Sequence, residues 1–303
     1  MGEPIIKGLM PACPTALDTD GRADAGAMKR IVRHMLDNGA SGVVPLGGTG
    51  EYVSLPPEER IATVESCVEA ANGAPVYAGV LAPGLGDALP AARAFQKAGA
   101  SGLMVLAPYY SPATQDSAKD YFRTMRDAVD LPIMLYDNPY RARFGFSPDS
   151  IAELAEDGTI VGMKASNTDL YHFDQVMQRV GPEFGALSGQ DTLFAQQVAS
   201  GAVGGVLTSA VLVPGLWSKV LALVSAGRYA EGLAIQRQLN PLMDALFAEE
   251  NPGPLRHALS LIGIANGDSP RPAPSVTDGL KSRLADVIDR LRGLTDELPA
   301  ATA

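Results

Sequence analysis

Lys164 is a single cation at the end of an apolar segment of the chain. The preceding residues, 159–163 (Thr-Ile-Val-Gly-Met), have the apolar and β-branched composition of a strand buried on both faces of a parallel sheet. The carboxyl ends of such strands carry the active sites of α/β barrels. Burial lowers the pKa of an amine, and a neutral amine attacks a carbonyl carbon to form a Schiff base. The position therefore indicates a Schiff-base lysine, with a lysine that extends its ammonium group into solvent as the alternative.

A glycine-rich segment, 47–51 (Gly-Gly-Thr-Gly-Glu), follows the second candidate strand. Three glycines around one threonine leave backbone N–H groups uncovered, and groups of this kind form anion-binding nests. The segment is therefore a candidate site for a carboxylate or a phosphate. A tight turn that binds nothing is the alternative.

The fifth candidate strand leads into residues 136–141 (Tyr-Asp-Asn-Pro-Tyr-Arg). A phenol such as that of Tyr136 can relay protons at the mouth of a barrel, and Arg141 can bind a carboxylate through two hydrogen bonds. A turn with a solvent-exposed arginine is the alternative. Tyr109 and Tyr110 follow the fourth candidate strand, and paired tyrosines are more typical of an interface or a core than of catalysis.

One sequence pattern recurs where a helix is expected to end and a strand to begin. It occurs at 38–44 (Asn-Gly-Ala-Ser-Gly-Val-Val), at 98–104 (Ala-Gly-Ala-Ser-Gly-Leu-Met) and, more loosely, at 200–206. Each copy has a glycine that can end a helix in the left-handed conformation, followed by a short apolar run. The pattern predicts a helix C-terminus leading into a buried strand in three places.

Eight apolar segments are candidate strands, and helical segments such as 56–71 separate them. The candidate strands are 8–14, 41–46, 76–80, 102–107, 133–136, 160–164, 184–188 and 205–208. Eight strands alternating with eight helices predict an α/β fold of the (β/α)8 barrel type, over roughly 225 residues. A doubly wound sheet is the alternative, but no Gly-x-Gly-x-x-Gly turn follows the first strand.

The strand signals end near residue 226. Residues 229–247, 253–264 and 276–294 have helical patterns. We therefore predict a barrel over 1–226 and a C-terminal helical appendage over 227–303. Because no low-complexity linker separates the two, the appendage is expected to pack against the barrel.

The composition excludes some classes of partner. The 303-residue chain has 34 acidic and 24 basic residues, and this excess argues against nucleic acid, whose phosphates require a basic surface. Cys13 and Cys67 lack metal-ligand or redox spacing, and the N-terminus lacks a secretory signal, so we predict a cytoplasmic protein with reduced thiols.

Residues 192–217 are uncharged and long enough to span a bilayer. Their glutamines, glycine cluster and Pro214 instead favour a helix, a strand and a loop inside a globular core, without a membrane partner.

Together, the strand-end motifs are far more specific than each one alone. Gly-Gly-Thr-Gly-Glu at 47–51, Tyr-Asp-Asn-Pro at 136–139 and Gly-Met-Lys at 162–164 resemble those of the dihydrodipicolinate synthase/N-acetylneuraminate lyase family. Gly-Gln-Asp at 189–191 and Glu-Asn-Pro-Gly-Pro at 250–254 are similar to further signatures of that family. The resemblance extends over essentially the whole chain. It implies a class I lyase or synthase that handles pyruvate.

The resemblance also implies roles for individual residues at the mouth of the barrel. Lys164 would form the imine with the keto acid, and Tyr136 would be the general acid and base. Gly48 and Thr49 would hold the carboxylate of the keto acid through backbone N–H groups and the Thr49 hydroxyl. The backbone carbonyl of Val206 would face the substrate.

Two further matches concern a partner subunit and the second substrate. Tyr110 matches the tyrosine that family members insert into a neighbouring subunit's site, which implies a homodimer, commonly paired into a homotetramer. Arg141 matches the arginine that binds the carboxylate of the aldehyde partner in the synthases. No metal or other cofactor is implied. The three histidines lack the ligand spacing of a zinc-dependent aldolase.

Gly48 departs from the synthase pattern Gly-Thr-Thr-Gly-Glu, in which the first threonine connects two tyrosines in a proton relay. Without that hydroxyl, a relay from Tyr136 to Tyr110 requires a water molecule or a substrate hydroxyl. We therefore predict a cofactor-free lyase that acts on 2-keto-3-deoxy acids, by cleavage to pyruvate and an aldehyde or by dehydration. One alternative, to which Arg141 is suited, is a genuine 4-hydroxy-tetrahydrodipicolinate synthase that condenses pyruvate with aspartate semialdehyde. The other is a non-catalytic protein that binds keto acids.

Overall fold

A computed structural model describes residues 5–270 and 272–298 of the chain. At its centre, seven parallel strands form one curled sheet in the order β1-β7-β6-β5-β4-β3-β2. The strands are β1 (Gly8–Leu9), β2 (Tyr77–Val80), β3 (Gly102–Leu106), β4 (Ile133–Asp137), β5 (Gly162–Ala165), β6 (Gly185–Ser188) and β7 (Gly204–Gly205). Strands β2 to β7 are buried along their whole length, as expected where helices cover one face and side chains fill the other.

Residues 43 and 44 close this sheet into a barrel. Val44 forms a parallel bridge with Ala12, just beyond β1, and Val43 forms a parallel bridge with Val76, just before β2. The two edges of the sheet are therefore joined through an eighth strand position. The (β/α)8 architecture predicted from the sequence is confirmed.

Three of the predicted strands are shorter than expected: 8–14, 41–46 and 205–208, the last of which is assigned only at Gly204–Gly205. Proline accounts for much of the difference in the first two. The segment 41–46 contributes only bridges, because Pro45 has no N–H to donate and Leu46 turns into the left-handed region with a φ of 60°. The first strand was predicted over 8–14 and is assigned only at Gly8–Leu9. Two prolines interrupt its remaining length.

Twelve α-helices occur in the described residues. They are α1 (Ala25–Asp37), α2 (Pro57–Ala71), α3 (Leu85–Lys97), α4 (Gln115–Ala128), α5 (Pro139–Ala142), α6 (Pro148–Glu156), α7 (Leu170–Met177), α8 (Phe194–Ala199), α9 (Pro214–Ser225), α10 (Tyr229–Leu246), α11 (Gly253–Leu261) and α12 (Asp278–Arg292). Side-chain oxygens of Asp24, Ser147, Asp169 and Thr277 accept backbone N–H groups at the starts of α1, α6, α7 and α12. These N-caps satisfy donors that have no partner within the helix.

The recurring pattern at 38–44, 98–104 and 200–206 has the structure that its sequence predicts, a helix C-terminus leading into a strand. Gly39, Gly99 and Gly201 follow α1, α3 and α8 with φ values of 101°, 89° and 108°. Glycine adopts this left-handed conformation without the steric cost that a Cβ imposes. Each glycine is followed within five residues by a strand position of the barrel.

The C-terminal helices α10, α11 and α12 lie where the sequence predicts them and contact the barrel. Gln236 of α10 accepts the backbone N–H of Ala195 at 2.8 Å, and Arg256 of α11 donates to the carbonyl of Thr15 at 2.6 Å. The division of the chain at residue 226 stays a prediction.

The uncharged segment 192–217 contains α8, β7 and the start of α9. Across the described residues, no helix has the length and apolar character that crossing a bilayer requires.

Candidate active site

The carboxyl ends of the strands surround a cavity of about 290 Å³, which we call the inner cavity. Five of the seven residues predicted for the site line it, namely Lys164, Tyr136, Gly48, Thr49 and Arg141. The rest of its lining consists of Asn138, Ser166, Gly189, Gln190, Asp191, Thr208, Phe247, Glu249, Glu250 and Asn251. The barrel therefore brings together three motifs that are far apart in the sequence.

Lys164 and Tyr136 face each other inside the barrel. They are register partners on the parallel strands β5 and β4. The Nζ atom of Lys164 lies 4.4 Å from the centre of the Tyr136 ring, an arrangement in which the cation is attracted to the aromatic face. Each residue is only 6% exposed. The lysine therefore does not extend into bulk solvent, and its amine and the phenol share one small volume.

The surroundings of Tyr136 change its acidity. Burial alone raises the pKa of this phenol, but the positive charge of Lys164, a hydrogen bond from Asn138, the charge of Arg141 and the Ser166 hydroxyl together hold the pKa below its usual value. The side-chain Nδ2 of Asn138 donates to the phenol oxygen at 3.0 Å. A phenol with a lowered pKa exchanges its proton more readily near neutral pH, which suits a general acid and base.

The glycine-rich loop at 47–51 is fixed from two sides. A Cβ at Gly50 would lie 2.3 Å from the backbone nitrogen of Leu46, so only glycine fits there without displacing backbone. Glu51 has a left-handed backbone with a φ of 56°, and its buried carboxylate forms an ion pair with Arg256 of α11. The C-terminal helices thus hold the loop against the mouth of the barrel.

Gly48 and Thr49 of this loop have donors of the kind that an anion nest uses. Among the hydrogen bonds of the described residues, none has the backbone N–H of Gly48 or Thr49 as its donor. The Thr49 hydroxyl lies 3.1 Å from the Thr208 hydroxyl and accepts the side-chain N–H of Asn251 at 3.0 Å. Gly48 and Thr49 line the same cavity as Lys164, so two backbone donors and an oriented hydroxyl belong to residues of that cavity, and groups of this kind can form an anion nest.

Gly48 differs from Gly50 in having no steric reason to be glycine. A Cβ at position 48 would make only an ordinary contact, 3.8 Å, with Nε of Arg141. The missing threonine hydroxyl of the synthase pattern is therefore a chemical difference that the fold does not impose.

Arg141 stands at the outer edge of the inner cavity. Its backbone N–H donates to the side-chain oxygen of Asn138, the N-cap of the short helix α5. Its side chain is 53% exposed, and Nη2 lies 3.8 Å from Oε1 of Glu250. A guanidinium in this position can be reached by an anion that enters from solvent.

Tyr110 and Val206 do not line the inner cavity. Tyr110 is 87% exposed, so within one chain its ring contributes nothing to the site. Val206 is buried, and its backbone N–H donates to the Ser188 carbonyl at 2.7 Å. The carbonyl of Val206 accepts no backbone hydrogen bond from the described residues. The role predicted for each residue stays a prediction.

Asp191 is a site residue to which the sequence assigned no role. It is buried at the start of the 3-10 turn after β6 and accepts the N–H groups of Thr208 and Ser209, at 3.2 and 2.7 Å, and the Ser209 hydroxyl at 2.6 Å. Burial raises the pKa of Asp191, although these hydrogen bonds and the charge of Lys164 oppose the shift. The Gly-Gln-Asp motif was the available signal, but a motif does not reveal the donors that surround it.

A second cavity of about 890 Å³, which we call the outer chamber, adjoins the inner cavity. The two share Gly48, Arg141, Glu250 and Asn251. Rings make up much of the outer lining, including Tyr52, Tyr109, Tyr140, Pro252, Pro270, Pro272 and Pro274. Arg141 and Glu250 therefore mark the boundary between a polar reaction site and a more apolar entrance.

The histidines lie apart from the inner cavity. His34, His172 and His257 are on α1, α7 and α11, helices predicted from the sequence. Within the described ranges, no three His, Cys, Asp or Glu residues are grouped so as to hold a metal ion.

A closed parallel barrel with a lysine and a tyrosine facing one cavity at its strand ends has the architecture of a class I aldolase. Residues 5–291 match the model of the dihydrodipicolinate synthetase family. The chain belongs to this family, and it is an enzyme, a lyase of the class I aldolase type.

Curated relatives and solved structures agree with this assignment. A 4-hydroxy-tetrahydrodipicolinate synthase of Gluconacetobacter diazotrophicus is 34% identical over 286 residues, covering 94% of this chain and 96% of its own. One of Methylobacterium radiotolerans is 35% identical over 290 residues, covering 95% and 96%. The crystal structure of the chloride-inhibited dihydrodipicolinate synthase of Acinetobacter baumannii with pyruvate has a TM-score of 0.89 at 26% identity, covering 94% and 98%.

Proposed function

We propose that this enzyme joins pyruvate to an aldehyde through an imine on Lys164. The observation that carries the proposal is the buried Lys164 amine, which lies over the Tyr136 ring beside the free N–H groups of Gly48 and Thr49. An amine, a proton carrier and an anion nest are the three groups that keto-acid imine chemistry requires. All three line one cavity.

The proposed reaction begins when the neutral amine of Lys164 adds to the ketone carbon of pyruvate. Loss of water leaves a protonated imine, which withdraws electrons from the neighbouring methyl carbon. That carbon then releases a proton and, as an enamine, attacks the aldehyde carbon. The new carbon–carbon bond leaves an alkoxide that takes up a proton, and the enamine becomes an imine again. Water then adds to the imine carbon, the bond between that carbon and the lysine nitrogen breaks, and the keto-acid product leaves the free amine of Lys164. Tyr136, with its lowered pKa, would carry protons in these steps.

The keto-acid carboxylate fits the loop at 47–51. It would accept the N–H groups of Gly48 and Thr49 and the Thr49 hydroxyl, which Asn251 and Thr208 orient. Pyruvate held there would lie in the cavity that Lys164 also lines. The unpaired carbonyl of Val206 is proposed to face the same substrate.

For the second substrate, we propose aspartate semialdehyde. Arg141 can bind its carboxylate, and relatives at 34 and 35% identity over nearly the whole chain are 4-hydroxy-tetrahydrodipicolinate synthases. These relatives favour the synthase alternative over the 2-keto-3-deoxy acid lyase that the sequence led us to prefer. The order of the two is therefore reversed.

Cleavage or dehydration of 2-keto-3-deoxy acids remains the second candidate because of Gly48. The position has room for a side chain but carries no hydroxyl. A substrate that brings its own hydroxyl group can occupy that space and complete the path of protons from Tyr136.

Assembly into a homodimer, and from it a homotetramer, belongs to the same proposal. Tyr110 is 87% exposed in the single chain, and an aromatic ring with this exposure is typical of a residue that packs against a partner. Its contribution to catalysis would then be made in the neighbouring subunit. A cytoplasmic location and the absence of a cofactor stay predictions.

Two assays distinguish the candidate reactions. In one, pyruvate and aspartate semialdehyde are mixed with enzyme, and the loss of both is followed by proton NMR. In the other, a panel of 2-keto-3-deoxy acids is supplied and the appearance of pyruvate or of a dehydrated product is followed. The proposal expects the higher kcat/KM in the first assay and no turnover by Lys164→Ala in either. A higher kcat/KM in the second assay would overturn the synthase assignment.

A further inference from the structure

Arg141 and Glu250 form an ion pair where the inner cavity meets the outer chamber. Nη2 of the arginine and Oε1 of the glutamate are 3.8 Å apart, and both residues line both cavities. Gly48 and Asn251 are the other two residues that line both cavities. A positive and a negative group therefore stand side by side where the two cavities adjoin.

Arg141 and Glu250 can each exchange the other for a charged group of a ligand. The two side chains are 53% and 62% exposed, and ion pairs with this exposure stabilise a protein little because water solvates both charges. A ligand that offers a carboxylate to Arg141 and a cation to Glu250 replaces one weak interaction with two. A ligand that offers only a carboxylate leaves Glu250 without its partner.

The neighbouring residues single out Glu250 as the available carboxylate. Both oxygens of Glu249 are already used, since they accept the backbone N–H and the hydroxyl of Thr277. Arg143 also lines the outer chamber and adds positive charge to its lining. Glu250 is thus a carboxylate whose one ion-pair partner in the described part of the chain is the exposed Arg141.

Asn251 supplies a second acceptor next to Glu250. Its Nδ2 donates to Thr49, but its Oδ1 is buried and has no hydrogen-bond partner among the described residues. Buried polar atoms are rarely left unpaired. A donor group on a ligand would satisfy this oxygen, and an ammonium group has three donors to share between the two residues.

We propose that Glu250 is a specificity-determining residue that receives the ammonium group of an aldehyde that is also an α-amino acid, while Arg141 binds the carboxylate of the same molecule. This inference rests on the proposed function and deepens it, because it names the group that separates the preferred aldehyde from simpler ones. The α-ammonium and α-carboxylate groups of an amino acid are bonded to the same carbon atom. They therefore match two opposite charges held side by side.

The test compares two aldehydes that differ only in the amino group. Steady-state condensation with pyruvate is measured for Glu250→Gln with aspartate semialdehyde and with succinate semialdehyde, the latter also as a competitive inhibitor. The KM for aspartate semialdehyde should rise about tenfold, the effect of losing one charge-assisted hydrogen bond, with kcat nearly unchanged. The KM or inhibition constant for succinate semialdehyde should stay the same or fall, because Arg141 is released from its partner.

Glu231→Gln is the matched control, since it removes the same charge from an exposed ion pair on α10, with Arg228. It should change neither aldehyde's constants. Equal changes for both aldehydes in Glu250→Gln, or no change for either, would overturn the role of Glu250 while leaving the synthase in place. If the unaltered enzyme condenses neither aldehyde with pyruvate, the proposed function itself fails, and the role of Glu250 fails with it.

Discussion

Lys164 and Tyr136 are register partners on neighbouring parallel strands, with the lysine Nζ 4.4 Å from the centre of the tyrosine ring. Because the backbone ladder fixes both residues, their separation is set by the sheet and not by a mobile loop. The barrel therefore holds the amine and the aromatic ring next to each other before any substrate arrives.

Removing the phenol should abolish proton transfer without unfolding the barrel. Tyr136→Phe keeps the ring that packs over Lys164 and loses only the hydroxyl, so kcat should fall about 10²- to 10⁴-fold. The imine with pyruvate should still form, more slowly. Kinetics and a thermal unfolding scan measure the two effects, and a kcat within a few-fold of the unaltered enzyme would remove Tyr136 from the mechanism.

Asn138 should set the pH at which Tyr136 titrates. Its amide donates to the phenol oxygen and helps to lower the pKa of Tyr136. Asn138→Asp keeps the oxygen that caps α5 but replaces the donor with a negative group, which favours the protonated phenol. The limb of the pH profile of kcat/KM that reports Tyr136 should therefore move to higher pH. An unchanged limb, or one that moves to lower pH, would show that this hydrogen bond does not tune the tyrosine.

The ion pair of Glu51 and Arg256 should support both stability and the anion loop. Both side chains are buried, so Arg256→Leu leaves an unpaired carboxylate and should cost about 3–5 kcal/mol in the free energy of unfolding. Urea denaturation measures this loss, and pyruvate binding should weaken in parallel. The double variant Glu51→Gln/Arg256→Leu should be more stable than Arg256→Leu alone. Losses that simply add would argue against an electrostatic origin.

Position 48 should accept a threonine, whereas position 50 should accept nothing larger than glycine. Gly48→Thr makes only an ordinary contact with Arg141 and should keep the stability of the parent within about 1 kcal/mol. If the enzyme is a synthase, the added hydroxyl should raise condensation relative to any cleavage of keto-deoxy acids. The control Gly50→Ala forces a Cβ against the backbone of Leu46 and should lose about 1–3 kcal/mol or more. Equal stability losses in the two variants would contradict this distinction.

Local patterns predicted much of the fold. The three glycine joints, the barrel and the C-terminal helices follow from signals within a few residues of each other, and the structure has all of them. The strand lengths were harder to predict, because hydrophobic runs do not reveal where proline or a left-handed residue ends the ladder. Leu46 is one such residue.

Some residues of the candidate site could likewise be predicted from local sequence, and others could not. Lys164, Tyr136 and the glycine-rich loop end their own strands, so the barrel topology alone predicts that they meet. The hydrogen-bond donors around Asp191 and the pairing of Glu250 with Arg141 depend on loops that return from distant parts of the chain. Nothing local in the sequence says that the turn after α10 reaches the mouth of the barrel.

Trapping the imine tests the central claim most directly. The protein is incubated with pyruvate, treated with borohydride, digested and examined by mass spectrometry, with Lys164→Ala and the unreduced protein as controls. We expect a stable pyruvate-derived adduct on the peptide that carries Lys164, and none on Lys164→Ala. Pyruvate binding without any adduct at that lysine, or an equal adduct in Lys164→Ala, would contradict this claim.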